Sequence, residues 1–228
     1  MKRVKEILTS GLFFTFFLYF SEIISILLVL IYPNAKNMSL DAQRIYICIM
    51  EILFICLIVF TYKKDYIQDF NIFKNKFNEY FKKYLKFWII GLIVMGASNL
   101  VLSSIFDKIA ENESAIRSTF KVSPFYVYFA SVILAPLLEE GIFRFNLRKI
   151  VDDKWSFILL SGLLFAAMHI VGNITAWYDL LYIIPYSSLG IAFAYMYVDS
   201  KNIFVSTMFH LLHNGLLMSL EFLLLMFV

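Results

Sequence analysis

Apolar residues in this chain gather into seven long runs, at 8–32, 45–62, 87–106, 124–143, 155–172, 180–198 and 203–228, rather than into alternating strands or short amphipathic stripes. A helix needs about 20 apolar residues to cross a hydrocarbon core about 30 Å thick, and these runs have that scale. The pattern predicts an all-α fold: a polytopic transmembrane bundle of about seven helices, organised as one domain over 1–228. No repeat, low-complexity tract or linker interrupts it. Trp155 and Trp177 stand near run ends, where interfacial aromatics belong.

The first run follows Lys2, Arg3 and Lys5, which raises a secretory signal as an alternative. A signal's apolar region is about 7–15 residues long and ends at a small-residue cleavage site. This run is longer and has no such site, so it is expected to remain as a membrane helix. Positive residues concentrate in cytoplasmic loops. With the N-terminus inside, fifteen of the lysines and arginines fall on the inner side and five on the outer, so the N-terminus is expected in the cytoplasm. The segment 63–86 carries seven of those lysines, interleaved with Tyr66, Phe70, Phe73, Phe77, Tyr80, Phe81 and Tyr84 at helical spacing. It reads as a basic amphipathic helix lying along the inner leaflet.

Composition narrows the class further. With 61% hydrophobic and 16% charged residues, the chain is far from the soluble globular mix of about 45–50% apolar and about 25% charged. Sparse charge and a net +3 exclude a disordered chain and a phosphate-tracking nucleic-acid binder. The expected setting is a cell membrane, and a wealth of Ile, Lys, Asn, Phe and Tyr points to an AT-rich bacterial source. Cys48 and Cys56 sit eight residues apart on one predicted helix. That is about 12 Å of rise, too far for a disulfide, so both read as packing residues.

The predicted spans hold no lysine or arginine within the bilayer, yet they hold Glu22, Glu51, Glu139, Glu140 and Glu221 and all three histidines, His169, His210 and His213. Each is costly at membrane depth and so a functional candidate. Glu22, Glu51 and Glu221 are isolated and read as protonated or hydrogen-bonded packing groups, and His213 as a packing or hydrogen-bonding one. The fourth run ends in Glu139-Glu140 with Arg144 following. Glu140 and Arg144 share a helix face and can pair, while Glu139 is rotated by about 100° and free to face elsewhere.

Depth brings further groups to Glu139. Helices four and five turn through Asp152, Asp153 and Lys154, with Glu139 fourteen residues before Asp153 and His169 sixteen after it. At 1.5 Å per residue these lie about 21 and about 24 Å from the turn, so they can face each other. Helix seven starts from the same side, which places His210 and Asn214 about 14 and about 20 Å in and on one face. A carboxylate, two imidazoles and a carboxamide suit hydrolysis. The carboxylate can take a proton from water, a neutral histidine can position that water, and further donors can stabilise an oxyanion.

In these residues the sequence resembles the CAAX-protease and bacteriocin-processing family of intramembrane proteases, also called the Abi family. Its signatures are matched in order by Glu139, Glu140 and Arg144, by Phe165 and His169, and by His210 and Asn214, within a motif-bearing stretch of about 123–228. The resemblance implies a peptidase in which Glu139 and His169 activate water and His210 and Asn214 form the oxyanion hole. Glu140 and Arg144 would hold the site in shape, and Phe165 would pack beneath His169. No cofactor is expected, although Glu139, His169 and His210 also match a two-histidine, one-carboxylate zinc set. The expected partners are the lipid bilayer and a peptide or membrane-protein substrate, such as a bacteriocin, pheromone or leader-peptide precursor. Two other readings stay open: an ion-coupled transporter, whose relay would string polar groups across the bilayer, and a non-catalytic bacteriocin-immunity protein.

Overall fold

The computed structural model describes residues 2–226, so the last two positions of the final apolar run lie outside it. Among the described residues the long elements are all helices: α1 (Lys2–Leu18), α2 (Phe20–Ile31), α3 (Leu40–Thr61), α4 (Lys63–Phe106), α5 (Glu111–Val122), α6 (Pro124–Ile150), α7 (Lys154–Ile170), α8 (Ile183–Ser200) and α9 (Ile203–Met226). Five spans are long and apolar enough to cross a membrane: α3, α4, α6, α8 with the turn before it, and α9. The chain is a multi-pass helical membrane protein, and each of the seven apolar runs is helical.

Two runs depart from the expected pattern. The first is not one helix, because α1 and α2 meet at 70° across Tyr19. Phe54 of α3 lies against rings from both sides of that break, with centroids 4.6 Å from Phe16 and 5.6 Å from Phe20. Rings on both sides of the break therefore share one partner on α3. The second departure concerns 63–86, which is not a separate surface helix. It continues into the third run as the 44-residue α4, with a kink at Lys76 that separates its first helical stretch from the rest. Part of its aromatic stripe packs on protein: Phe70 and Phe73 flank Phe204 at 5.5 and 5.9 Å, and Phe81 stacks on Phe209 at 5.6 Å. Tyr84 is fully buried and donates to Asp199 at 2.8 Å. Helical aromatic spacing therefore recorded a protein interface at those positions.

The short helix α5 fills the connection between α4 and α6. Its Arg117 reaches Glu221 of α9 at 3.0 Å, which gives that membrane glutamate a partner. Lys108, in the loop before α5, bridges Asp179 at 2.9 Å and Glu111 at 2.8 Å, and those carboxylates hold its ammonium above the usual lysine range. Glu22 is exposed and accepts from Ser21.

Three local devices set the heights of the helices that carry the polar residues. Asp153 caps α7 by accepting from the Ser156 N–H at 2.8 Å, and that bond holds its carboxyl below the usual aspartate range. Asp69 of α4 caps α9 by accepting from the Ile203 N–H at 3.0 Å. Between α7 and α8 the backbones touch, since a Cβ on Gly162 would lie 2.9 Å from the Ile191 nitrogen and one on Gly190 would lie 2.9 Å from the Gly162 carbonyl oxygen.

Candidate active site

Pro136 shapes the helix that carries both adjacent acids. Proline has no N–H for the ladder, and its ring collides with the preceding turn of a regular α-helix. In α6 the stretch Ala135–Glu140 is flanked by wider π-helical turns at Ala130–Leu134 and Gly141–Asn146. Such turns re-aim side chains and recur at functional sites. Buried Asn146 donates from its amide to the Gly141 carbonyl at 2.7 Å, inside the second of them.

Both carboxylates converge on one imidazole. His210 of α9 places Nδ1 3.0 Å from Glu140 Oε1 and Nε2 3.6 Å from Glu139 Oε2. Glu139 was expected to meet His210, whereas Glu140 was expected only to pair with Arg144. Instead the two neighbouring acids bracket the ring, which stacks on Phe193 at 4.9 Å and takes the Phe165 ring on edge at 5.6 Å. Glu140 turns its other oxygen to Arg144, with Nε 3.4 Å away. Both members of that pair are 0% exposed. The guanidinium donates from Nη1 to Ser161 at 3.0 Å and lies 5.0 Å over Phe165. Ser161 in turn donates to the Phe143 carbonyl at 2.7 Å.

His169 stands on the other side of Phe165, with ring centroids 4.6 Å apart and Tyr186 stacked beyond it at 4.8 Å. Phe143 meets Phe165, and Arg144 meets Ser161, a register that carries Glu139 to the level of His169. His169 Nδ1 lies 2.8 Å from the Phe165 carbonyl. A carbonyl oxygen only accepts, so Nδ1 carries the hydrogen and Nε2 of the neutral ring is left as an acceptor. One turn beyond His210, Asn214 donates from its amide to the Ser131 carbonyl at 2.8 Å, inside the first π-helical turn. An amide nitrogen has two hydrogens, so one donor stays free.

The structure thus gathers Glu139, Glu140, Arg144, Phe165, His169 and His210 around shared rings and ion pairs, with Asn214 at their margin. His213 is buried, as a packing residue would be, and its Nδ1 finds no partner among the described residues. The zinc set does not assemble as placed. Among the described residues no group of three or more His, Cys, Asp or Glu side chains is arranged to hold a metal ion. Both nitrogens of His210 already face carboxylates, and His169 commits Nδ1 to a carbonyl. Sequence reasoning missed Ser161, Phe193 and Tyr186. Their types are common in membrane helices, and only the packing of α7 and α8 against α6 and α9 gives them meaning.

A profile of the family described as type II CAAX prenyl endopeptidase Rce1-like matches residues 121–216. The chain is 27% identical over 132 residues to YdiL of Bacillus subtilis, whose name describes it as a membrane peptidase; the match covers 56% of this chain and 50% of YdiL. It is 29% identical over 151 residues to the membrane-embedded CAAX protease MroQ of Staphylococcus aureus, covering 59% of this chain and 57% of MroQ. The UPF0177 protein YbdI of Lactococcus lactis is 31% identical over 102 residues, covering 41% of this chain and 56% of YbdI. The chain spans about half the length of the curated relatives it matches. No solved structure matches it. Every polar group of the cluster falls inside the matched segment, residues 121–216, and it is in that segment that the chain is similar to the Rce1-like CAAX endopeptidase family.

Proposed function

We propose that the chain is an intramembrane endopeptidase that hydrolyses a peptide bond of a membrane-associated peptide or protein by carboxylate-activated water. The observation that carries this reading is an imidazole bracketed by two adjacent carboxylates, with a second imidazole across a shared ring and a free amide donor one turn away. The match of residues 121–216 to a CAAX endopeptidase profile and the likeness to YdiL and MroQ support the endopeptidase part of this reading.

In this reading a water rests between the Glu139 carboxylate and the acceptor Nε2 of His169. Glu139 takes one proton, the water oxygen bonds to the scissile carbonyl carbon, and the carbonyl electrons move to its oxygen. The Nε2–H of His210 and the free N–H of Asn214 donate to that oxyanion. For this, His210 carries hydrogens on both nitrogens, with Nδ1 donating to the Glu140 carboxylate and Arg144 balancing the other oxygen. Collapse then breaks the C–N bond, and Glu139 returns its proton to the leaving amine. Phe165, Phe193 and Tyr186 hold the two imidazole planes. Suitable substrates are bacteriocin, pheromone or leader-peptide precursors that lie in the bilayer.

Comparing the peptides released from membranes containing the native protein with those from membranes containing Glu139→Ala tests the proposal. Peptides that appear only with the native protein are the expected result. Identical peptide sets from two equally expressed proteins would overturn it.

A further inference from the structure

Glu51 is a membrane carboxylate beside the site that the proposed reaction does not use. It sits on α3, a helix with most of its surface turned away from the protein. Two contacts fix how α3 runs along α6. Near its start, Arg44 reaches Ser123 and lies 5.5 Å over the Tyr126 ring. Near its end, Ile58 is the side chain that a Cβ on Gly141 would meet at 3.7 Å. The helices are therefore parallel neighbours, and Glu51, midway between the contacts, is level with the end of the π-helical turn Ala130–Leu134. That is about one and a half turns, roughly 8 Å, from Glu139 toward the Pro124 end of the site. Glu51 is within electrostatic reach of Glu139, and Cys48 and Tyr126 are its other titratable neighbours.

What sets Glu51 apart is its lack of a counter-charge. Glu140 has Arg144, Glu139 has His210, and Glu221 has Arg117. Glu51 makes no ion pair among the described residues, and one of its oxygens is buried without a hydrogen-bond partner. Arg44, seven residues away, turns instead to Asp41 and Ser123. A carboxylate at membrane depth with neither donor nor cation is costly unless it takes up a proton or a ligand completes it, and a cationic ligand does so without loss of the charge. Building on the peptidase reading, we infer that Glu51 is a specificity-determining residue that receives a cationic side chain, lysine or arginine, of the substrate. An extended peptide advances about 3.3 Å per residue, so the cation lies roughly two or three residues from the scissile bond.

The test uses neutral membrane-associated peptides in which a single lysine is moved one position at a time, each matched to a glutamine counterpart. Reconstituted native protein is expected to prefer lysine in one register by about tenfold or more in kcat/KM, chiefly through KM. With Glu51→Gln the lysine-to-glutamine ratio falls to about one, and with Glu51→Lys the preference passes to a peptide carrying glutamate there. A selectivity ratio is insensitive to the folded fraction. Native protein that cleaves the set with no charge preference, or Glu51→Gln with the preference intact, overturns the inference and leaves the peptidase reading standing. Native protein that cuts none of the peptides and releases the same membrane peptides as Glu139→Ala overturns both.

Discussion

In α3 and α4 the most apolar window of each span is 11% buried within the protein, whereas in α6 and the α8 span it is 44% and in α9 39%. Of the outer pair, α3 is held largely by rings, such as Phe54 between Phe16 and Phe20, while α4 adds polar contacts to α8 and α9 through Tyr84 with Asp199 and Asp69 with the Ile203 N–H. The inner group of α6, α7, α8 and α9 is held by backbone contact at Gly162 and Gly190 and by a chain of polar contacts from Arg144 through Glu140 to His210. Lipid is as apolar as leucine, so hydrophobicity alone gives membrane helices little reason to associate, and small residues and polar contacts must supply it. The inner helices have those contacts, and the proposed chemistry sits in them. The outer helices wall the site, and Glu51 is the one carboxylate that α3 contributes to it.

Removing the charge at the centre of the inner group should have the largest effect. Arg144→Ala leaves Glu140 buried without its cation, and losing one partner of a buried pair costs about 3–5 kcal/mol. A steep fall in the detergent melting temperature, with loss of folded protein, is expected. Phe54→Ala, in the outer pair, should leave the inner group's cleavage activity largely intact in whatever folds. Equal loss of specific activity from both changes would erase the distinction between the two regions.

Asn214→Ala sharpens the comparison from the chemical side. Losing one oxyanion donor lowers kcat about 10²–10³-fold. The melting temperature should move little, because the Asn214 amide makes a single partly buried bond. A large fall in melting temperature with unchanged turnover would assign the residue to structure instead. The smallest expected effect is from Gly162→Ala. Its methyl meets the Ile191 backbone, and overpacking of this kind costs about 1–3 kcal/mol. Thermal unfolding of the reconstituted protein reads this directly, and a stabilised variant would show that α7 and α8 do not depend on close approach.

The sequence made the inner group legible because its signals are local. Pairs four residues apart, Glu140 with Arg144 and His210 with Asn214, share a helix face whatever surrounds them, and the tight turn at Asp153 sets Glu139 level with His169. Less local features could not be read. The break at Tyr19 carries no proline or glycine to announce it. Both acids reach His210 although they stand one regular helical step apart in Ala135–Glu140, because the ring offers a separate nitrogen to each. The aromatic stripe of α4 has the same spacing whether it meets lipid or Phe204 and Phe209, so periodicity left its partner open.

The central claim is that Glu139 activates the attacking water beside His169 and His210. It is tested most directly by single-turnover cleavage of a peptide identified from native membranes, comparing the native protein with Glu139→Gln at matched melting temperature. The account predicts a 10²–10⁴-fold slower cleavage step, the range for loss of a general base. Cleavage within a few-fold of native would place the base elsewhere and contradict it.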